Sequence, residues 1–128
     1  VSAHAPAYAR SLASGHATSH PVTTRLADGM ACRTPVPEAL AALAGDGPGS
    51  SATPNGRRGV ARVVEVTDDE VAHAMRACFA DTHNVAEGAG AAALAALLQE
   101  RDRAPERVRG RRVAVVLCGG NVDADVYA

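Results

Sequence analysis

A helix of very small residues, followed by an apolar run and two glycines, constrains the fold of this chain most. Residues 88–98 contain only Gly, Ala and Leu, so the predicted helix can pack very closely against a neighbour. Residues 112–117 form a largely apolar run of the kind that is covered on both faces in a parallel sheet. Residues 60–66 are rich in β-branched side chains and predict an earlier strand. The order strand, helix, helix, strand predicts an α/β fold with parallel-type strands flanked by helices.

Local signals predict four helices. Residues 6–15 begin with proline and end with glycine, and residues 37–43 also open with proline. Residues 67–70 have the capping-box pattern, so a helix should start there and end about Asp81. The buried stripe of that helix should contain Val71, Met75 and Cys78. A second long helix is predicted for residues 87–101.

Composition excludes several classes of protein. A net charge of -1, with two Tyr and one Phe, provides neither a basic surface nor a stacking platform, so nucleic-acid binding is not expected. Three widely spaced cysteines without a CxxC pair are typical of the reducing cytoplasm. No apolar stretch is long enough to span a membrane. Residues 45–59 are rich in Gly and Pro and predict a surface loop.

The end of the 112–117 run is the best candidate for a binding site. In open α/β sheets ligands bind beyond the carboxyl ends of strands, where Cys118, Gly119, Gly120 and Asn121 follow the run. The two glycines would let a ligand approach the main chain, and the flanking thiol and amide could contact it. A tight turn and a buried structural cysteine would also account for these residues.

Glu87 is a second candidate, because a carboxylate stands at the start of the small-residue helix. The helix dipole favours a negative charge at that position, so simple capping is the alternative.

These residues occur in an order that resembles one family. Glu87, the small-residue helix, the apolar run and Cys-Gly-Gly-Asn resemble the C-terminal part of the pyridoxal-phosphate-dependent serine/threonine dehydratases. These belong to the fold-type II, tryptophan synthase beta-like superfamily, which includes serine racemase. The resemblance implies pyridoxal 5'-phosphate as cofactor, Cys118 bonded to its pyridine nitrogen, and Glu87 close to its ring. Gly88 and Gly90 would keep the approach to the ring open.

Two further stretches match the same family. Residues 24–30 are similar to its Thr-x-Ala-Asp-Gly stretch, which implies that the backbone of Gly29 lies near the cofactor. Ser11 and Gly15 match a pair that in the family follows a divalent-cation site. That match puts Val1 and Ala7 where the carboxylate ligands belong, so we predict no metal site.

The resemblance implies a function for a larger protein. Residues 1–128 would be a single segment, the C-terminal part of the large domain of a threonine/serine dehydratase-like enzyme. Such an enzyme removes water and then ammonia from a hydroxy amino acid and leaves a 2-oxo acid. The family's Schiff-base lysine and glycine-rich phosphate loop belong to an N-terminal half that is absent here. This chain has no lysine, so we expect no catalytic residue in it and no activity from it alone.

The expected partners are threonine or serine, the N-terminal half of the same enzyme, and further copies in a homo-oligomer. Serine racemase and threonine synthase share this architecture and are alternatives for the whole protein. A non-catalytic binding module derived from such an enzyme is another. A nucleotide-binding domain is disfavoured, because neither a GxGxxG nor a Walker pattern occurs.

Overall fold

The computed structural model describes residues 1–46 and 58–127, which form helices joined by extended segments. Most of the predicted loop at 45–59 therefore lies outside the described residues. In the described part, the α-helices are α1 (Ala7–Ser14), α2 (Pro37–Ala44), α3 (Asp68–Thr82), α4 (Gly88–Arg103) and α5 (Ala124–Tyr127). Two short 3-10 helices cover Asp28–Met30 and Pro105–Arg107.

Helix α3 begins at the predicted capping box. The backbone N–H of Glu70 donates to Thr67 Oγ1 (3.2 Å), and the backbone N–H of Thr67 donates to Glu70 Oε2 (2.8 Å). The two bonds satisfy N–H groups that the first turn of a helix leaves unpaired. The predicted stripe of Val71, Met75 and Cys78 is buried, as expected.

Helix α4 packs along α3 through alanines. Its buried side chains include Ala91, Ala92 and Ala95, and they join the core formed by the buried face of α3. The α4 side of this contact therefore consists of very small side chains. Polar bonds also join them: Gln99 Nε2 donates to Glu70 Oε1 (3.0 Å), and Arg103 Nη2 donates to the same oxygen (2.7 Å).

The two short predicted helices are also present. Gly15 caps the C-terminus of α1 and Gly45 caps that of α2, and both glycines have left-handed backbones, with φ of 78° and 97°. Glycine reaches that region without the steric cost that a Cβ imposes. The two helices pack against each other. In the described ranges, no helix is both long and apolar enough to cross a membrane.

The two predicted strands are not formed in the part of the chain that the structure describes, so the expected parallel sheet is not confirmed there. The only strand-like pairing there is an isolated parallel bridge between Ser2 and Val66. The N–H of Ala3 donates to the Val66 carbonyl (2.8 Å). Residues 112–117 form neither helix nor strand and are exposed, and Val116 has 74% of its surface accessible. A strand needs a neighbour for its N–H and C=O groups, and no described segment pairs with this one.

Candidate functional site

Glu87 and Gly119 are in direct contact, although they are 32 positions apart in the sequence. The backbone N–H of Glu87 donates to the Gly119 carbonyl (2.9 Å). A Cβ added to Gly119 would lie 2.9 Å from Glu87 Cγ and closer still to the carboxylate. The Glu87 side chain therefore lies against the Gly119 backbone, in space that only glycine leaves free.

The Glu87 carboxylate does not cap its own helix. The residue occupies the N-cap position of α4 with an extended backbone, but its side chain makes no capping hydrogen bond. The side chain is half-buried. The carboxylate therefore does not cap the helix through a hydrogen bond and lies against the Gly119 backbone instead.

The first turn of α4 fits tightly against two other backbones. A Cβ on Gly88 would overlap the Leu26 carbonyl and lie 3.2 Å from Ala27 Cα. A Cβ on Gly90 would lie 2.8 Å from the backbone nitrogen of Gly119. The prediction that these glycines keep a ligand approach open is therefore wrong, because protein backbone fills the space beside both.

Gly29 is brought to the same place by the turn at residues 24–30. A Cβ there would lie 2.9 Å from Ala89 Cβ and 3.7 Å from Glu87 Oε1. Gly29, Glu87 and Gly119 thus converge, although the predictions for them came from three separate stretches of sequence. Gly29 itself is exposed.

Cys118, Gly120 and Asn121 lie on the accessible side of this cluster. All three are exposed, and Cys118 is a free thiol. A Cβ on Gly120 would lie 3.0 Å from the Val85 carbonyl oxygen, so there is little space for a side chain at this position. The thiol of Cys118 and the amide of Asn121 are therefore accessible polar groups that flank Gly119 and Gly120 in the sequence.

Asp68 is a residue near the site that sequence reasoning missed. Its Oδ1 accepts a hydrogen bond from Thr24 Oγ1 (2.6 Å), and its Oδ2 accepts one from the backbone N–H of Arg25 (2.8 Å). Burial alone would raise the pKa of Asp68, but hydrogen bonds from Arg25, Thr24 and Leu26 together with the nearby His4 lower the pKa below its ordinary value. Asp68 therefore stays ionised and holds the turn that carries Gly29.

The proposed absence of a metal site concerns Val1 and Ala7. Ala7 is fully buried, and neither hydrocarbon side chain offers an oxygen ligand. In residues 1–46 and 58–127, no group of three or more His, Cys, Asp or Glu side chains is arranged to hold a metal ion.

The family described as "Pyridoxal-phosphate dependent enzyme" matches residues 1–119. The chain belongs to this family, whose fold is fold-type II and whose members depend on pyridoxal phosphate. The predicted resemblance and cofactor class are thereby confirmed.

Individual proteins similar to this chain include threonine ammonia-lyases and serine racemases. The L-threonine ammonia-lyase of Geobacter sulfurreducens is 38% identical over 121 residues, which cover 94% of this chain and 26% of that protein. The crystal structure of the T.th. threonine deaminase is similar with a TM-score of 0.74 and 27% identity, over 95% of this chain and 38% of that one. Maize serine racemase has a TM-score of 0.73 and 26% identity, over 96% and 35%. The chain thus spans about a quarter of the length of the curated relative.

Proposed function

We propose that this chain is the C-terminal part of the large domain of a pyridoxal-phosphate-dependent dehydratase. The whole enzyme would convert threonine or serine to a 2-oxo acid and ammonia by β-elimination. The convergence of Gly29, Glu87 and Gly119 is the observation that carries this proposal. The match to an L-threonine ammonia-lyase across 94% of the chain supports the same reaction class.

The residues at this cluster fit a flat aromatic cofactor. Gly29 and Gly120 are exposed, so a ring can approach their backbones from the solvent side, whereas the space beside Gly119 is taken by the Glu87 side chain. Cys118 and Asn121 provide accessible polar groups, and Glu87 provides a half-buried carboxylate. We propose that these six residues hold pyridoxal 5'-phosphate on one side.

Cys118 has a specific role in this proposal. When bound, the cofactor supplies an electron sink for the carbanion that forms beside the amino group. The Cys118 thiol would hydrogen-bond the pyridine nitrogen and, being neutral, would leave that nitrogen largely unprotonated. The weaker electron sink suits β-elimination, in which the carbanion needs only brief stabilisation before the hydroxyl group leaves.

The missing catalytic groups are proposed to come from an N-terminal half of the same enzyme. The chain contains no lysine, so the residue that holds the cofactor and moves the α-proton must lie elsewhere. The same half would provide strands on both sides of residues 112–117 and so complete a parallel sheet. The exposed side chains of Val113, Val116 and Leu117 support this arrangement, because they present an apolar surface to solvent here.

The proposal is tested by reading the coding DNA upstream of the Val1 codon and expressing the continuous frame. The expected frame adds a lysine within a Ser-x-Lys motif and a glycine-rich phosphate loop. The purified product should release a 2-oxo acid from threonine or serine in the presence of pyridoxal phosphate. A frame with both motifs whose product releases no 2-oxo acid from either amino acid would contradict the dehydratase assignment.

Serine racemase is a second candidate, favoured by the similarity to maize serine racemase. A racemase would convert L-serine to D-serine, whereas a dehydratase would consume serine. Chiral chromatography of the same reaction mixture separates the two activities.

A non-catalytic binding module is the third candidate, and the absence of lysine favours it. This candidate requires the 128-residue chain to be the whole protein, with a start codon immediately before Val1. The chain alone should then release no 2-oxo acid from threonine, and a positive assay would exclude this role.

Cytoplasmic location and homo-oligomeric assembly stay predictions.

A further inference from the structure

Asp68 links the start of α3 to the turn at residues 24–30, across 44 positions of sequence. We propose that Asp68 is a positioning residue, which sets the Gly29 backbone against Glu87 through the Thr24 turn. Only the effect of this geometry on cofactor binding rests on the proposed function. The contacts themselves belong to this chain.

Both oxygens of the Asp68 carboxylate are used. Oδ1 accepts from the Thr24 hydroxyl at 2.6 Å, and Oδ2 accepts from the Arg25 backbone N–H at 2.8 Å. Hydrogen bonds to an ionised carboxylate are shorter and stronger than neutral ones. The Asp68 carboxylate therefore holds the turn both through the Thr24 side chain and through the Arg25 backbone.

The Thr24 hydroxyl passes this constraint along the turn. While it donates to Asp68, its oxygen accepts from the backbone N–H of Ala27 (3.1 Å) and, more weakly, from that of Leu26 (3.4 Å). A hydroxyl has one donor and two acceptor positions, so all of them are occupied here. The conformation of residues 24–27 is consequently tied to the carboxylate.

The far side of the turn touches the candidate site. The Leu26 carbonyl and Ala27 Cα face Gly88 so closely that no Cβ fits there. Gly29 follows directly and lies beside Ala89 and the Glu87 carboxylate. A shift of the turn therefore has to move Gly29, the first turn of α4, or both.

Asp69 is a matched control within the same helical turn. It carries the same charge at the start of α3 and would interact similarly with the helix dipole. It is exposed, and no side-chain hydrogen bond to it is found in the part of the chain that the structure describes. Replacing Asp69 thus removes the charge without releasing the turn.

The first test uses the isotope-labelled 128-residue chain without cofactor. In Asp68→Ala, amide hydrogen exchange of Arg25 and Ala27 should accelerate about tenfold. The Arg25 N–H loses its hydrogen bond to Asp68, and the Ala27 N–H donates to a Thr24 hydroxyl that Asp68 no longer holds in place. The amide resonances of Gly29, Glu87 and Gly119 should also shift. Asp69→Ala should leave all five amides at their wild-type positions and rates.

Thr24 variants keep the test decisive if Asp68→Ala does not fold. Thr24→Val removes the hydroxyl at nearly constant size and should reproduce the shifts at Gly29 and Glu87. Thr24→Ser restores the hydroxyl and should return both resonances toward wild type. Unchanged Gly29, Glu87 and Gly119 resonances in Thr24→Val and in any folded Asp68→Ala would overturn the proposal.

The second test uses the complete enzyme and measures its dissociation constant for pyridoxal phosphate. Asp68→Ala should raise that constant about tenfold, and Asp69→Ala should not change it. Equal affinity of wild type and Asp68→Ala would overturn the role in cofactor binding. A wild-type enzyme that binds no pyridoxal phosphate would overturn the proposed function instead, and the amide measurements would still decide whether Asp68 positions Gly29.

Discussion

Gly119 is a position at which an added side chain would collide with the Glu87 side chain. The Glu87 side chain occupies the space where a Cβ would stand. Gly119→Ala should therefore destabilise the chain by about 1–3 kcal/mol, as overpacking typically does, and should weaken cofactor binding in the complete enzyme. Urea unfolding monitored by circular dichroism measures the first effect. Gly110→Ala is the control, since Gly110 has a φ of 71° but nothing within 4 Å.

That control separates crowding from backbone strain. Gly110→Ala carries only the cost of a left-handed backbone, about 1 kcal/mol, and should leave cofactor affinity unchanged. If Gly119→Ala binds cofactor as tightly as wild type, the contact between Glu87 and Gly119 has no part in the site.

Cys118 provides a second substitution with a clear contrast. In the complete enzyme, Cys118→Ala should weaken cofactor retention or slow turnover, because it removes the proposed donor to the pyridine nitrogen. Cys118→Ser keeps a donor of similar size and should retain activity. Cofactor absorbance after dialysis, together with kcat, measures both effects. Full activity of the alanine variant would return Cys118 to a structural role.

The capping box makes α3 sensitive to acid. Burial alone would raise the pKa of Glu70, but hydrogen bonds from Thr67 and Gln99 and the charge of Arg103 lower it below its ordinary value. Ionised Glu70 therefore contributes stability above the unfolded-state pKa of about 4.3, and this contribution is lost as pH falls through the lower folded-state pKa. Stability should fall accordingly on acidification below about pH 4.

Glu70→Gln isolates this contribution. At pH 7 the variant should be about 1 kcal/mol less stable than wild type, and the difference should shrink toward pH 3. Urea midpoints at the two pH values measure it. Asp69→Asn, which changes the charge of an exposed neighbour, should differ little from wild type at either pH. An equal loss of stability in Glu70→Gln and Asp69→Asn would show that the effect comes from the helix dipole and not from the capping box.

The helices could be predicted and the strands could not, for a physical reason. A helix closes its hydrogen bonds within itself, so its ends can be inferred from local residues such as Thr67 and Glu70. A strand depends on partners that can lie anywhere in the protein, and residues 112–117 have none among the described residues. Asp68 was missed for a related reason, because its bond to Thr24 spans 44 positions and leaves no local pattern.

The exposed run at 112–117 has a consequence for the behaviour of the chain in solution. An extended apolar segment with unpaired backbone groups is a template for association. The 128-residue chain should therefore self-associate, and Val116→Asp should reduce this by adding a charge at its most exposed valine. Sedimentation velocity measures the change. Val36→Asp alters another exposed valine, 54% accessible and outside the run, and should leave association unchanged.

The complete enzyme should respond to the same substitution in the opposite sense. If neighbouring strands cover residues 112–117 there, Val116→Asp would bury a charge and lower the melting temperature. A complete enzyme that tolerates Val116→Asp without such a loss would contradict the proposed parallel sheet.

The alanine face of α4 determines how the position of Glu87 responds to temperature. Alanine side chains have no rotamers to change, so close packing of the α4 alanines against Val71, Met75 and Cys78 of α3 sets the separation of the two helices. Repulsion at contact changes little on warming, whereas hydrogen bonds weaken and lengthen. The start of α4 should thus hold its place over a wide thermal range, while the Thr24 turn, held by directional bonds, drifts first.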